Sequence, residues 1–298
     1  MNLVCELARS ISIRRAKKRD LSDIRRIHEE FSEELSSEDP GWFRALLESR
    51  SRRLVFLVAE VNSEVNSRVV GYCLAYRSRD RGYIENIAVK DDYRGLGLGS
   101  LLLREVERVL AERGVSEVYL GVKDWNISAV NFYLKHGYQV KGVVFWLTAS
   151  PEKINTRALS SEYTVVDVSA SRIHSRLKHH SSTWSSLVDE VDQYIYKKKL
   201  YRAERALIVK RRRRVVAYAL YSINDEIVVD TIALSSYNLL EPVELIITSL
   251  KNIAKAIGAK SIEIPVDASK YKLTELLVNT GLRVKETEYL LHKNLDNT

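Results

Sequence analysis

Cysteine, methionine and proline are all scarce in this chain. Of its 298 residues, two are cysteine, one is methionine and four are proline. Cys5 and Cys73 are too few and too far apart for a disulfide framework, so we expect free thiols in a reducing cytoplasm. No apolar run approaches the roughly 20 residues of a membrane span. The first residues also lack the basic and then apolar order of a secretory signal, and together these absences predict a cytoplasmic protein without membrane association.

The composition is that of a globular protein. It is 45% hydrophobic and 29% charged, and its length suits two domains that each bury a core. The six histidines show no metal-ligand spacing, and the adjacent pair His179-His180 cannot easily share an ion, so we predict no metal site.

Positive charge is concentrated in one segment of a chain whose net charge is +8. The segment from Lys197 to Arg214 contains the run Lys210-Arg211-Arg212-Arg213-Arg214, which we place at a hairpin between two strands. A solvated turn explains the run most simply. The alternative is an electrostatic site for nucleic acid, an acidic protein or a phosphate. No helix-turn-helix or aromatic-basic RNA motif accompanies the run, so nucleic-acid binding is the minor hypothesis.

The most informative stretch runs from Gly82 to Ser100. An apolar strand, Tyr83 to Val89, leads through a polar turn into the glycine-rich loop Arg94 to Gly99, and an amphipathic helix follows from Ser100. The free N–H groups at the start of a helix and its positive dipole end favour an anion. Glycines let the backbone approach that anion closely. The stretch therefore predicts a phosphate-binding site.

The spacing of the glycines argues against two nucleotide-binding motifs. Gly95, Gly97 and Gly99 are each two residues apart, which is not the G-x-G-x-x-G spacing of a dinucleotide site. No Lys-Ser/Thr pair follows them, as a nucleotide P-loop requires.

The pattern resembles instead the acetyl-coenzyme A signature of the GNAT superfamily of N-acetyltransferases. The fixed positions of Arg/Gln-x-x-Gly-x-Gly/Ala are filled here by Arg94, Gly97 and Gly99. The family's helix-and-aromatic motif appears downstream between Asn126 and Tyr138, and the resemblance spans roughly Ile11 to Leu147. It implies direct acetyl transfer from acetyl-CoA to an amine in a ternary complex, with no metal.

The resemblance also implies roles for individual residues. The strand end, Ile87-Ala88-Val89, offers backbone groups to the pantetheine arm and a backbone N–H to the thioester carbonyl. The pyrophosphate is held by the N–H groups of the loop and helix start, helped by the side chain of Arg94. The residues that contribute to this phosphate site are Arg94, Gly95, Leu96, Gly97, Leu98, Gly99 and Ser100.

Two side chains on the downstream helix are further candidates. Tyr133 lies four residues before Gly137 and is our choice of general acid, because a phenol can protonate a departing thiolate. Its alternative role is a core aromatic beside Phe132. Asn126 is either the N-cap of that helix or a partner of the coenzyme arm, and the two roles are compatible.

Glu85 is the expected general base, acting directly or through a water. It lies on the strand before the glycine loop, where a carboxylate could take a proton from an incoming ammonium. The alternative is an exposed carboxylate on the polar face of the strand. Asp124 is a second candidate.

The second half of the chain repeats the first in degraded form. The segment Arg68 to Tyr72 recurs as Arg214 to Tyr218, and Ile87-Ala88-Val89 recurs as Ile232-Ala233-Leu234. Further pairs at nearly the same offset of 144 to 146 are Tyr93 with Tyr237, Gly114 with Gly258 and Gly137 with Gly281. The second copy reads Asn238-Leu239-Leu240-Glu241-Pro242-Val243 where the glycine loop should be. Glu241 adds a negative charge and Pro242 removes a donor, so we predict that this half does not bind acetyl-CoA in the usual way.

We therefore predict an α+β protein with two tandem GNAT-type folds, each a mixed, mostly antiparallel sheet flanked by helices. The domains are a catalytic one at 1–147, a linker at 148–162 and a degenerate one at 163–298. The acceptor is a primary amine, with a protein or peptide α-amine or lysine favoured and a small-molecule amine as the alternative. A non-catalytic acyl-CoA-binding regulator that contacts nucleic acid is the second function class. The chain is either a monomer that forms a pseudo-dimer or a homodimer.

Overall fold

The structure is a computed structural model that describes residues 11–33, 35, 40–49, 51–61, 67–156, 162–170, 181–182, 204–236 and 240–295. It divides into two compact units. The N-terminal unit comprises Met1–Lys141 together with Leu290–Thr298, and the C-terminal unit comprises Gly142–Tyr289. Among the described residues, no helix has the length and apolarity to span a bilayer.

The N-terminal unit is a mixed sheet with helices packed against it. Its elements are β1 (Ile11–Arg15), α1 (Leu21–Glu30), α2 (Pro40–Glu48), β2 (Leu54–Val61), β3 (Arg68–Ser78), β4 (Arg81–Val89), α3 (Leu98–Glu112), β5 (Glu117–Lys123) and α4 (Ile127–Lys135). Strands β1 to β4 pair antiparallel in chain order, and β5 is parallel to β4. The predicted strand before the glycine loop, the helix after it and the downstream helix at Asn126 are confirmed, whereas α2 is a helix that the sequence patterns did not reveal.

Amphipathic patterning fixes which face each helix buries. In α3, buried side chains recur three to four residues apart from Leu98 through Leu102 and Val106 to Leu110, so one apolar stripe faces the sheet. The missed helix α2 is short and follows an acidic segment. Its Trp42 and Phe43 are buried. From the sequence alone, a short helix with two buried aromatic residues cannot be distinguished from a loop anchored by the same residues.

The C-terminal unit has the same architecture. Its elements are β6 (Gln139–Ala149), β7 (Tyr163–Ser169), β8 (Ser181–Ser182), β9 (Arg205–Arg211), β10 (Arg214–Ile223), β11 (Ile227–Leu234), α5 (Glu241–Ile257), β12 (Ile262–Asp267), α6 (Tyr271–Asn279) and β13 (Arg283–Asn294). The sheet order is β6-β12-β11-β10-β9-β7, and the β11–β12 pair is parallel. The repeated segments 68–72 and 214–218 begin β3 and β10, and the segments 87–89 and 232–234 end β4 and β11, which confirms the tandem repeat.

The unit boundaries differ from the domains that the sequence predicts. From Gly142 onward β6 belongs to the C-terminal unit, where Val144 to Ala149 pair with β12. The chain returns at Leu290, so the end of β13 belongs to the N-terminal unit, where the N–H of Leu295 donates to the carbonyl of Ser116 at 2.8 Å. Each unit is thus completed by a strand encoded in the other half of the chain.

The predicted linker, Thr148 to Glu162, is also partly built into the C-terminal unit. It begins inside β6, and Pro151–Lys153 form a turn of 3₁₀ helix. Ile154 is buried in the core of that unit because the chain passes directly over Gly281. A Cβ on Gly281 would lie 2.2 Å from the carbonyl oxygen of Lys153, so only glycine fits there.

Several of the segments discussed above fall outside the described residues. They are Cys5, the pair His179-His180, the basic segment from Lys197 to 203, and Tyr237 with Asn238 and Leu239 of the degenerate loop.

Candidate functional site

A cleft in the N-terminal unit begins where two parallel strands separate. Pairing between β4 and β5 runs from Arg81 opposite Glu117 to Ile84 opposite Leu120 and stops there, although β4 continues to Val89. The edge of β4 that faces β5 therefore carries backbone N–H and C=O groups without strand partners beyond Ile84. Ile87, Ala88 and Val89 lie on this open edge, as the pantetheine interpretation requires.

A β-bulge places Glu85 at the mouth of this cleft. In the β3–β4 ladder, Leu74 is opposite Asn86 and Ala75 is opposite Ile84, so Glu85 is the extra residue. A bulge changes the direction of the side chain of the extra residue. Glu85 is partly exposed, whereas its neighbours Ile84 and Asn86 are buried. Glu85 is thus held at the point where the strands separate.

The glycine loop is shaped for close contact with an anion. Gly95 has φ +75° and Gly97 has φ +81°, the left-handed conformation that side chains rarely adopt. A Cβ at either position would meet no protein atom within 4 Å, so the loop surface is open.

The helix start after the loop has unused donors. Gly97 is the N-cap of α3 and supplies no side-chain cap, and the first intrahelical bond is from the N–H of Leu101. The N–H groups of Leu98, Gly99 and Ser100 therefore precede the helical hydrogen bonds and are available to a ligand. The first turn contains no acidic residue that would compete. The Leu98 side chain is buried, so this residue can contribute only its backbone.

Arg94 is anchored beside the loop. Its guanidinium lies 4.0 Å above the ring centre of Phe31, its Nε donates to the carbonyl of Val89 at 3.2 Å, and Nε is 3.2 Å from a carboxylate oxygen of Asp91. These contacts occupy one face of the guanidinium group and its Nε edge. The position still allows the terminal nitrogens to reach a phosphate.

Two buried tyrosines near the cleft have different partners. Tyr138 donates to Oε1 of buried Glu107 at 2.9 Å, and Nζ of Lys293 donates to Oε2 of the same carboxylate at 2.8 Å. The ring of Tyr133 packs 5.6 Å from that of Tyr138, yet its hydroxyl has no hydrogen-bond partner in the described part of the chain. Burial raises the pKa of Tyr133 well above its usual range, so the hydroxyl is protonated at neutral pH. Tyr133 therefore keeps its proton, and no hydrogen bond among the described residues engages its hydroxyl.

Asn126 acts as the N-cap of α4. Its side-chain oxygen accepts the N–H of Ala129 at 3.1 Å, so one of the two roles foreseen for it is observed. Its amide NH₂ group is not needed for that cap. Asp124 precedes the cap and is partly exposed.

Cys73 is unsuited to nucleophilic catalysis. It lies fully buried on β3, and burial, with a smaller effect of the Glu107 carboxylate, raises the pKa of its thiol. A thiol in this state supplies almost no thiolate.

The sequence did not indicate that His28 belongs near the cleft. Its Nδ1 lies 2.8 Å from the hydroxyl of Tyr72, and both side chains are buried. Burial raises the pKa of Tyr72, and the nearby Cys73 and Glu85 raise it further. Only the packing of α1 on β3 reveals this polar contact.

The C-terminal unit has a corresponding but altered site. Pairing of β11 with β12 stops after Val228 opposite Glu263, and Asp230 is the extra residue of a bulge as Glu85 is in β4. Here, however, Ala233 and Leu234 on the separated edge pair with β8. Their repeat counterparts are Ala88 and Val89, so the edge that would receive an extended ligand is already used by the chain itself.

The helix start in this unit is also less suited to an anion. α5 begins at Glu241, and Pro242 lacks an N–H. The N–H groups of Val243 and Glu244 both donate to the carbonyl of Leu240. Two carboxylates, of Glu241 and Glu244, occupy the first turn.

Comparison with known proteins identifies the N-terminal half. Residues 21–138 match the Acetyltransferase (GNAT) family. The chain is 36% identical over 143 residues to a thialysine N-epsilon-acetyltransferase of Bos taurus, covering 43% of this chain and 84% of that protein. It is 36% identical over 91 residues to an L-ornithine N5-acetyltransferase of Arabidopsis thaliana, covering 28% of this chain and 39% of that protein.

Solved structures match over both halves. A tandem GNAT protein from the clavulanic acid biosynthesis pathway superposes with a TM-score of 0.69 at 10% identity, covering 96% of this chain and 98% of the other. A GCN5-related N-acetyltransferase from Sphaerobacter thermophilus gives a TM-score of 0.62 at 12% identity, covering 96% of each chain. At these identities the likeness establishes the fold alone.

Proposed function

Because this chain belongs to the GNAT family of acetyltransferases, we propose that its N-terminal unit transfers an acetyl group from acetyl-CoA to a primary amine. One observation carries the proposal. The open edge of β4, the bulged Glu85 and the free helix start after Gly97 all lie at the same end of the sheet. That end of the sheet combines three features that the two substrates require. The strand edge can bind the thioester arm, the N–H groups at the helix start can bind the diphosphate, and the carboxylate can accept a proton from the amine.

The donor side rests on backbone groups. The loop and the first turn of α3 present N–H groups to a diphosphate, and left-handed Gly95 and Gly97 keep Cβ atoms out of its way. Ile87 to Val89 offer an unpaired strand edge to the pantetheine arm. When bound, acetyl-CoA supplies the acetyl group as a thioester.

The acceptor side rests on Glu85 and Tyr133. An amine reacts only when uncharged, and Glu85 takes the proton from the incoming ammonium, directly or through a water. The amine nitrogen then bonds to the acetyl carbon as the carbon–sulfur bond breaks, and Tyr133 gives its hydroxyl proton to the sulfur. The new amide nitrogen loses its surplus proton to the Tyr133 phenolate, and Glu85 releases its proton to water, which restores both side chains. Buried Cys73 takes no part, which favours direct transfer over an acyl-enzyme. Asp124 is the reserve candidate for the base.

We propose a protein or peptide amine as the acceptor, as the sequence analysis favoured. The names of the relatives favour a second candidate, the side-chain amine of a free amino acid, since the bovine relative is named for thialysine and the plant relative for ornithine. Both candidates present a primary amine to the same cleft.

A transfer assay on the full chain tests the proposal. Labelled acetyl-CoA is incubated with lysine, thialysine, ornithine, a peptide with a free α-amine and an Nα-acetylated peptide with one lysine. We expect turnover of at least one amine, and its loss in Glu85→Gln. Absence of transfer to every amine, together with no thermal shift on adding CoA, would refute the proposal.

The C-terminal unit is proposed not to bind the coenzyme, because β8 occupies its strand edge, Pro242 lacks an N–H, and the N–H groups of Val243 and Glu244 are already bonded to Leu240. Isothermal titration should therefore give one CoA per chain. Gly97→Glu, which introduces at the loop a negative charge like that of Glu241 in α5, should abolish that binding. Two equivalents per chain, or retained binding in Gly97→Glu, would contradict this assignment.

A further inference from the structure

The end of the N-terminal sheet opposite the glycine loop is rich in arginine. Strand pairing brings together the end of β1, the start of β2, the turn between β3 and β4, and the end of α3, because antiparallel neighbours alternate in direction. Among the described residues, seven arginines lie at these chain ends, with Lys17 and Lys18 following the end of β1. We call the arginines the arginine cluster: Arg15, Arg52, Arg53, Arg77, Arg79, Arg81 and Arg113.

The cluster has fewer acidic neighbours than basic ones. The carboxylates on the same chain ends are Asp80, Glu112 and Glu117. Glu112 pairs with Arg108, which lies outside the cluster, and Glu117 lies 3.5 Å from Arg81. Among the residues that the structure describes, Arg15, Arg52, Arg77, Arg79 and Arg113 form no ion pair with a carboxylate.

The fold holds these like charges close to one another. Arg113 donates to the carbonyls of Arg52 and Leu54 at 3.0 and 3.1 Å, so its guanidinium is fixed beneath the strand ends. Burial lowers the pKa of Arg113, and the neighbouring charges of Arg15 and Arg77 lower it further. Like charges gathered in this way cost stability unless an anion neutralises them.

The spacing of the cluster suits a chain of phosphates. Four adjacent strands about 4.8 Å apart form a row roughly 14 Å long, which spans several phosphates of a nucleic-acid strand. Arginine binds phosphate through two parallel N–H groups, which lysine cannot do. The row lies roughly 26 Å from the glycine loop along β4, at about 3.3 Å per residue, so it is distinct from the coenzyme site.

We propose that the arginine cluster binds the phosphate backbone of a nucleic acid, independently of base sequence. The Lys210–Arg214 run is the other concentration of positive charge considered above for such a role. In the structure that run forms the β9–β10 hairpin, where Arg211 pairs with Glu162 at 3.0 Å.

Fluorescence anisotropy with a labelled single-stranded RNA of mixed sequence tests this at several salt concentrations. The test variant is Arg15→Gln/Arg52→Gln/Arg79→Gln, which changes exposed cluster members. Each lost phosphate contact lowers the slope of log affinity against log salt by about 0.7, so we expect a loss of roughly 2 in slope and at least a tenfold weaker complex. A retained thermal shift with CoA shows that the variant is folded.

The matched control is Arg211→Gln/Arg212→Gln/Arg213→Gln, which removes the same charge from the C-terminal unit. We expect it to bind RNA nearly as the wild type does. Equal weakening by both triple variants would show a response to net charge only and would overturn the proposal. Absence of RNA binding by the wild type, or tighter cluster-dependent binding to a poly-glutamate peptide or to anionic vesicles, would overturn it as well.

Discussion

Replacing Tyr133 and Tyr138 one at a time by phenylalanine should separate catalysis from stability. The two rings are 5.6 Å apart and both are buried, so the substitutions are matched in volume and environment. Tyr133→Phe removes a hydroxyl with no partner among the described residues, and we expect roughly 0.5 kcal/mol or less of lost stability. If that hydroxyl is the general acid, kcat should fall by about 10²–10⁴, equivalent to roughly 2.7–5.5 kcal/mol in the barrier.

Tyr138→Phe should do the opposite. It removes the 2.9 Å hydrogen bond to the buried carboxylate of Glu107, a contact to a charged group worth about 1.5–3 kcal/mol. The salt bridge from Lys293 to the same carboxylate remains, so the unit should still fold and turn over substrate. Urea unfolding and steady-state kinetics on both variants check this. If Tyr133→Phe is as active as the wild type, or if it is the more destabilised of the two, the reasoning fails.

Two further predictions concern stability. Gly137→Ala and Gly281→Ala both force a side chain into positive φ, which costs about 1–2 kcal/mol of stability each. Only Gly281→Ala adds a clash with the backbone, of about 1–3 kcal/mol. Hydrogen exchange should therefore show faster opening of the C-terminal unit in Gly281→Ala, and equal destabilisation by both variants would contradict the contact between Gly281 and Lys153. The guanidinium of Arg14 donates two 2.7 Å hydrogen bonds to Glu60 and holds the pKa of that carboxyl below its usual value. Glu60→Gln should therefore lose about 1–3 kcal/mol at pH 7. In urea unfolding, the difference from wild type should shrink as the pH falls below the usual carboxyl pKa of 4.5 and then through the lower folded-state pKa, where the native carboxylate becomes protonated. A difference independent of pH would exclude the ion pair as its cause.

Local patterns in the sequence predicted much of the fold and the backbone form of the candidate coenzyme site. Alternating burial along β4 and the apolar stripe of α3 are periodic features that each segment carries by itself. The sequence predicted a glycine loop before a helix and a helix start at Asn126, because both depend on bonds within a few residues. The left-handed backbone of Gly95 and Gly97 is an observation of the structure. Helix α2 was missed since its short apolar face is stabilised mainly by packing on remote elements.

What the sequence determined, then, is most of the elements, the tandem repeat and the local form of the glycine loop at the start of a helix, all of which follow from neighbouring residues. Tertiary structure alone decided which strand completes each unit, that β8 covers the edge of β11, and that Glu85 lies where β4 and β5 part. It also gathered the arginine cluster from four chain ends. These features depend on pairing between residues far apart in the chain, and such pairing is fixed by which faces and edges the whole fold can bury.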